Sequence, residues 1–299
     1  AFAAIGNPAS AIQEINLLEQ THPDFILQAN STVVYNSILN AFITKGRSNK
    51  TSKTFIDNLS EAIEFWERLK CSDVVLDLHS YATMMNILSH YGRLGEAEQL
   101  LDEMEDTIHR KPETIHFNIC LNGWATKSRS DPTDHSLQRA ESMLRSMSSR
   151  GAQPDQISYT AVIGACFSSM NPQGMRKAER LLELLEKDPN VEVDEDVFVS
   201  VISGLYHSLS VVNDNGAKTY FAEQIEALFR YSSLPSVNGL NLCLQAWSRS
   251  YSDQAGQRSI DLFHDYCLAS ATVLPNSYSC LHFMKALASK SLPDPLPKA

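Results

Sequence analysis

The stretch that decides the fold is residues 81–104, which read YATMMNILSHYGRLGEAEQLLDEM. It begins with an aromatic residue followed by small and apolar residues, passes through a turn at Gly92, and continues as an acidic segment led by Ala97 and ending at Met104. In the second segment apolar residues recur every three or four positions with charged residues between them, which is the pattern of an amphipathic helix. The stretch therefore predicts two helices joined by a short turn.

The same pattern recurs along the chain at intervals near 40 residues. The position after the aromatic residue, or after its substitute, falls at 36, 82, 118, 160, 199, 241 and 281, at intervals of 46, 36, 42, 39, 42 and 40. Many units close with a proline and a polar residue, as in Pro154-Asp155, where proline stops one helix and the polar side chain can cap the next. Because one helix pair cannot bury its apolar face alone, these units must stack. We therefore expect an all-α solenoid of about six to seven helix-turn-helix repeats.

The spacing also predicts three parts of the chain. Residues 1–31 are expected to be a partial repeat, consisting of the second helix of a preceding unit and a turn. Repeats should fill residues 32–290, with units that begin near residues 32, 78, 114, 156, 195, 237 and 277. The proline-rich residues 291–299 should form an extended tail.

The composition excludes several classes of function. Hydrophobic residues make up 43% and charged residues 20%, as in ordinary folded proteins, and no apolar run is long enough to insert into a membrane. The six cysteines contain no C-x-x-C pair and are interpreted as free thiols. The nine histidines lack metal-ligand spacing, the H-x-E and C-x-x-C combination of zinc deaminases is missing, and no glycine-rich phosphate loop occurs. We therefore expect no catalytic residue, no metal and no cofactor, so that the chain is not itself an enzyme.

The distribution of charge is uneven. With 25 Lys and Arg against 35 Asp and Glu, the formal net charge is −10, which argues against a protein that binds polyanions non-specifically. The predicted first helices nevertheless contain eight cations and two acids, a net charge of +6. Either the first helices line a mildly basic groove, or they are basic only because the acids belong to the second helices.

Residues 81–104 closely resemble the repeat consensus of the pentatricopeptide repeat family, and residues 150–155 resemble its closing turn. The resemblance covers roughly residues 32–290 and suggests a P-type-like array without a catalytic C-terminal domain. Leu240 and Cys280 depart from the pattern, since they replace the aromatic residue, and Ile225 and Ser259 replace the alanine of the second helix. The resemblance implies a right-handed superhelix, a location in a mitochondrion or plastid, and single-stranded RNA or ribosomal RNA as a partner.

The resemblance also implies which residues would meet RNA. The family reads each base with the residue after the aromatic and with the last residue of the unit. Carried onto this sequence, Asn36 with Asp77 and Asn118 with Asp155 resemble uracil readers, Thr160 with Asp194 resembles a guanine reader, and Asn241 with Asn276 resembles a pyrimidine reader. Ala82 with Glu113 and Val199 with Ser236 fit no rule. The candidates for contact with the RNA backbone are Lys45, Arg47, Arg93, Lys127, Arg129, Arg249 and Lys285.

Two hypotheses of function follow. In the first, the chain is an organellar adaptor that holds single-stranded RNA along its concave first-helix surface, in RNA maturation, stability or translation. In the second, it is a scaffold subunit that docks protein partners within a large assembly such as an organellar ribosome. The basic first helices and the Asn–Asp pairs favour RNA, whereas the acidic total favours the scaffold.

Overall fold

The computed structural model describes residues 8–22, 31–48, 52–130, 135–168, 172–188, 191, 195–232, 235–269 and 273–288. Every regular element within these ranges is helical, which confirms the predicted all-α fold class. The α-helices are α1 (Pro8–Thr21), α2 (Ser31–Ser48), α3 (Ser52–Lys70), α4 (Leu78–His90), α5 (Leu94–Thr107), α6 (Thr114–Ser130), α7 (Ser136–Ser146), α8 (Gln156–Ser168), α9 (Pro172–Lys187), α10 (Glu195–Val211), α11 (Asn215–Tyr231), α12 (Val237–Ser250), α13 (Ala255–Phe263) and α14 (Ser277–Ala288). A 3₁₀ turn, Ser148–Arg150, follows α7, and a π-helical segment, His264–Ala269, continues α13.

The even-numbered helices are the first helices of the expected repeats, and the odd-numbered helices are the second ones. The first helices begin at residues 31, 78, 114, 156, 195, 237 and 277, each within one residue of a unit start that the spacing predicts. Helix α1 lies within the segment expected to be a partial repeat. The division of the chain into these repeat domains stays a prediction, and the proposed extended tail lies outside the described residues.

The chain forms two compact units, of which the first comprises residues 1–127 and 138–154. In this unit α4 packs against its own second helix, α5, and α2 packs against α3 and against the next first helix, α4. The aromatic side chains Tyr35, Tyr81 and Phe117 are fully buried, and the Trp66 and Tyr81 rings meet edge to face with centroids 5.1 Å apart. In these three repeats the aromatic residue that opens the pattern is therefore a core residue.

The second compact unit comprises residues 128–137 and 155–299 and repeats the same packing. Helix α8 packs against α9 and α10, α10 against α11 and α12, and α12 against α11, α13 and α14. Leu240, which replaces the aromatic residue of its repeat, is fully buried, as is Trp247 about two turns further along α12. Within the unit α8, α10 and α12 therefore each contact both their own second helix and the next first helix.

The cysteines are free thiols. Cys120, Cys166 and Cys243 are buried, and burial raises the pKa of the Cys243 thiol well above its ordinary value. Cys71 and Cys280 are exposed. Among the described residues no helix is both long and apolar enough to span a membrane.

Candidate nucleic-acid interface

The last residue of a repeat caps the first helix of the next repeat, as the first compact unit shows at Asp77. The Oδ1 atom of Asp77 accepts hydrogen bonds from the backbone N–H and the hydroxyl of Ser80, both at 2.8 Å. The backbone N–H of Asp77 donates to Ser80 Oγ at 3.2 Å, which completes a capping box. The side chain of a predicted base-reading residue is therefore held by the third residue of the helix that it caps.

The same arrangement recurs twice in the second compact unit. Asp155 Oδ1 accepts from the backbone N–H and the hydroxyl of Ser158, both at 2.9 Å. Asn276 Oδ1 accepts from the backbone N–H of Ser279 at 3.0 Å and lies 3.2 Å from its hydroxyl. In both cases the backbone N–H of the cap residue donates to the serine hydroxyl, at 3.1 Å.

Two caps are built differently, at Glu113 and Ser236. His116 occupies the third position after Glu113, and its Nδ1 accepts the backbone N–H of Glu113 at 3.1 Å. Its Nε2 therefore carries the proton and donates to Leu78 O at 2.9 Å. Ser236 Oγ accepts only the backbone N–H of Gly239, at 3.0 Å. These are the last residues of the two pairs that fit no base-reading rule.

The other member of each pair lies on a first helix, in a half-buried or buried position. Asn36 and Asn118 are only 5% and 7% exposed, and Ala82 is also buried. Asn36 Oδ1 is buried and has no hydrogen-bond partner among the described residues. Thr160 and Asn241 are half-exposed, and the hydroxyl of Thr160 donates to Ile157 O at 3.2 Å.

The structure brings one predicted pair into direct contact. Asn241 Nδ2 donates to Asn276 Oδ1 at 3.4 Å, and Ser279 Oγ donates to Asn241 Oδ1 at 2.6 Å. Asp194, the predicted partner of Thr160, lies outside the described residues. The predicted pair of Asn118 and Asp155 is divided between the two compact units, with Asn118 in the first and Asp155 in the second.

A set of exposed apolar residues near the predicted pairs was missed by the sequence analysis. Three residues before the positions 36, 118, 160 and 281, a large apolar side chain is exposed to solvent. These side chains are Val33 (64% exposed), Ile115 (57%), Ile157 (54%) and Tyr278 (64%). These four side chains occupy the same position in their repeats, and this shared position is visible in the sequence. A helix position that is apolar in several repeats but does not face the core indicates an exposed surface with another role.

The described cations differ in their availability to phosphate. Arg93 forms an ion pair with Glu96 on the same helical turn, so its positive charge is already partly compensated. Lys127 lies over the Trp124 ring, with Nζ 5.4 Å from the ring centroid, and Arg249 lies over the Tyr206 ring at 5.1 Å. Lys285 is exposed.

The side chains of the three other candidates, Lys45, Arg47 and Arg129, lie outside the described part of the structure. The described residues also contain no group of three His, Cys, Asp or Glu side chains that could hold a metal ion.

Comparison with known proteins identifies the repeat. A family model described as the PPR repeat matches residues 79–106, which correspond to α4 and α5. A chloroplastic pentatricopeptide repeat-containing protein of Arabidopsis thaliana is 24% identical over 194 residues, which cover 65% of this chain and 21% of that protein. A mitochondrial pentatricopeptide repeat-containing protein of the same plant is 24% identical over 175 residues, which cover 58% of this chain and 36% of that protein.

The fold also matches a solved structure of this kind. The crystal structure of the pentatricopeptide repeat protein PPR10 from maize superposes with a TM-score of 0.58 at 19% sequence identity, covering 96% of this chain and 35% of that chain. The match confirms the helical-repeat solenoid fold. The chain spans between 21% and 36% of the length of these relatives, whose names as chloroplastic and mitochondrial proteins support an organellar location.

Proposed function

We propose that this chain belongs to the pentatricopeptide repeat family and holds single-stranded RNA along its first helices as a non-catalytic adaptor in RNA maturation, stability or translation. Repeats of this kind read one base per helical repeat with two or three side chains. The observation that carries the proposal is the hydrogen-bonded pair of Asn241 and Asn276, which joins the end of one repeat to the first helix of that repeat.

The chemistry of this pair suits a base that presents acceptors. The backbone N–H of Ser279 can only donate, so the atom of Asn276 that it contacts must be Oδ1. The Asn276 Nδ2 group and the second hydrogen of Asn241 Nδ2 are then available as donors. Pyrimidines present O2 together with N3 or O4 as acceptors, in agreement with the pyrimidine preference that the family resemblance implies.

The pair of Asn36 and Asp77 has a different chemistry. Asp77 is exposed and supplies only acceptors, and its capping bonds use Oδ1 alone of the two carboxylate oxygens. Asn36 Oδ1 is buried and therefore out of reach of a base, so the Nδ2 group is the part of this amide that could contact one. A uracil N3–H flanked by two carbonyl oxygens matches acceptors combined with one amide donor, so uracil is the base that we assign to this pair.

The exposed apolar side chains provide a surface for the faces of the bases. Every base has an apolar π-face, and contact with Val33, Ile115, Ile157 or Tyr278 would remove apolar surface from water regardless of the base. These four residues would therefore supply affinity, and the hydrogen-bonding pairs would supply selectivity.

The experiment that tests the function is a binding measurement on a fluorescent strand that carries 5′-U-n-U-G-n-Y-3′, against a scrambled strand, at low and physiological salt. We expect the designed strand to bind more tightly, and the preference to shrink in the double variant Asn241→Ala, Asn276→Ala. A matched control is Asn238→Ala, an exposed position on the same face of the helix start. Equal, salt-sensitive binding of both strands would indicate an RNA clamp that does not read sequence.

A second candidate function is a protein-docking scaffold in a large organellar assembly. The observation that favours it is the exposed acidic surface of the second helices, which includes Glu64 and Glu67 on α3 and Asp102, Glu105 and Asp106 on α5. Failure to bind either RNA strand at either salt concentration would favour this function over the first.

A further inference from the structure

We infer that the serine at the third residue of a first helix is a positioning residue for base recognition, because it fixes the orientation of the reading pair beside it. The inference rests on the proposed function. It applies most directly to Ser279, which contacts both members of the pair Asn241 and Asn276.

The hydroxyl of Ser279 sits at the centre of the pair. It accepts the backbone N–H of Asn276 at 3.1 Å and lies 2.6 Å from Asn241 Oδ1 and 3.2 Å from Asn276 Oδ1. One hydroxyl hydrogen cannot serve both oxygens fully, and the shorter distance assigns it to Asn241. Ser279 itself is completely buried, so its hydroxyl cannot turn to water instead.

The hydroxyl therefore determines which atoms the pair presents. An asparagine amide can rotate by 180° and exchange its donor for its acceptor with little change of shape. The bond from Ser279 holds Asn241 Oδ1 inward, and Asn241 Nδ2 then faces Asn276 Oδ1. Without the hydroxyl, only the long 3.4 Å bond from Asn241 Nδ2 to Asn276 Oδ1 would hold the Asn241 amide. Asn241 could then present its oxygen as well as its nitrogen, and the pair would accept purines as well as pyrimidines.

The same serine accompanies the other readable pairs whose caps the structure describes. Ser80 holds Asp77, and Ser158 holds Asp155, each through both its N–H and its hydroxyl. The two unreadable pairs end at Glu113 and Ser236, where the third residue is His116 or Gly239 and offers no hydroxyl. The readable pair of Thr160 and Asp194 is the exception, because Val197 occupies the third position of the helix that follows it. A third-position serine therefore accompanies three of the four interpretable pairs and neither of the two unreadable ones.

Gly239 also shows why the serine is missing from one repeat. A Cβ atom at Gly239 would lie 2.9 Å from Cδ2 and 3.1 Å from Cε2 of the buried Phe229 ring. Packing of the second helix therefore excludes a side chain at this third position, so Ser236 is held by the backbone N–H of Gly239 and by no third-position hydroxyl.

The test compares Ser279→Ala with the wild-type chain on a set of strands in which each nucleotide of the designed site is replaced in turn by the other three bases. We expect Ser279→Ala to keep its overall affinity within about threefold and to lose pyrimidine-over-purine discrimination at one nucleotide, a change of about tenfold for one buried hydrogen bond. Ser279→Thr, which keeps a hydroxyl, should restore the discrimination. Ser277→Ala is the matched control, since Ser277 is exposed two residues earlier on the same helix.

The outcomes separate this inference from the function on which it rests. If Ser279→Ala discriminates as well as the wild-type chain, the positioning role is wrong while the proposed function stands. If the wild-type chain binds the strands without any base preference, the positioning role is wrong and the chain is an RNA clamp that does not read sequence. If it binds no strand at all, both the inference and the proposed function are overturned. Ser80→Ala repeats the test at Asp77 should Ser279→Ala fail to fold, and its loss of discrimination must then appear at a different nucleotide.

Discussion

At the scale of single residues, the buried carboxylate of Glu226 is the group that most needs its hydrogen-bond partners. It is only 4% exposed and accepts hydrogen bonds from Trp247 Nε1 at 2.9 Å and Arg230 Nε at 2.8 Å, with Arg258 at 3.6 Å. Hydrogen bonds between charged groups contribute more than neutral ones, and a buried charge without its partner is costly. We expect Glu226→Gln to lower the free energy of unfolding by about 2 kcal/mol.

Denaturant unfolding followed by tryptophan fluorescence measures this change, because Trp247 is one of the partners. The matched control is Glu223→Gln, an exposed acid on the same helix, which should change stability by less than about 0.5 kcal/mol. Equal stability of the two variants would contradict the role of Glu226.

His282 makes stability depend on pH. Its side chain is buried, its Nε2 lies 2.8 Å from Gln245 Nε2, and burial, Lys285 and Arg249 together lower its pKa below the ordinary value of about 6.5. The unfolded chain therefore takes up a proton at a higher pH than the folded chain. The stability contributed by neutral His282 is present above pH 6.5 and is lost as the pH falls below it.

We expect the wild-type chain to lose more free energy of unfolding between pH 7.5 and pH 5.5 than His282→Gln, by up to about 1 kcal/mol. Denaturation curves at the two pH values measure the difference. His135→Gln, at an exposed histidine, should retain the wild-type pH dependence. Identical pH dependence of wild type and His282→Gln would exclude this role.

The sequence predicts the identity of the pair residues better than their surroundings. The family resemblance implies the pairing of Asn241 with Asn276, and the structure places these two side chains in contact. The burial of Asn36 and the hydroxyl of Ser279 between two side chains depend on how neighbouring first helices pack, which no local pattern reports. Val33 was missed because periodicity assigns apolar residues to a core that this side chain does not face.

At the scale of elements, two helical glycines differ in whether a neighbouring side chain leaves room for a Cβ atom. Gly239 has no room for a Cβ atom because the Phe229 ring occupies the space, whereas a Cβ atom at Gly95 in α5 would meet nothing within 4 Å. We expect Gly239→Ala to destabilise the chain by about 1–3 kcal/mol through overpacking. Gly95→Ala should instead stabilise it by about 0.5–1 kcal/mol through its higher helix propensity.

Thermal unfolding followed by circular dichroism measures both the expected loss of stability in Gly239→Ala and the expected gain in Gly95→Ala. Gly256→Ala is a useful control in the second compact unit, because a Cβ atom there would make an ordinary contact with Ala286 O at 3.9 Å. A stable Gly239→Ala would mean that the Phe229 ring can move without cost.

The residues at which helices begin could be predicted because the sequence signals for them are local. The way in which a helix such as α13 continues could not be predicted. Proline followed by a capping residue, as at Pro154 and Asp155, marks a helix start in the sequence and in the structure. The π-helical segment His264–Ala269 was not predicted; within it the Tyr266 ring packs against the Phe229 ring, with centroids 4.7 Å apart. Cys280 was expected to replace a core aromatic residue but is exposed, unlike Leu240.

At the scale of the whole molecule, stability should be assembled from neighbouring helices. The packed helix pairs of the described residues are adjacent or next but one along the chain, as α12 shows by contacting α10, α11, α13 and α14. In such an array the free energy of unfolding is approximately a sum of repeat and nearest-neighbour contributions. Damage to one repeat should therefore weaken its neighbours and spare distant ones.

The Glu226→Gln variant tests this locality. Hydrogen exchange followed by mass spectrometry should show faster exchange in α11, α12 and α13, where Glu226, Trp247 and Arg258 lie, and unchanged exchange in α2 to α5. Glu223→Gln should alter neither region. A uniform rise in exchange along the chain would contradict the nearest-neighbour account, because it would mean that all repeats open together as one cooperative unit. A local rise would mean that the repeats around Asn241 and Asn276 can loosen while those around Asn36 and Asp77 stay folded.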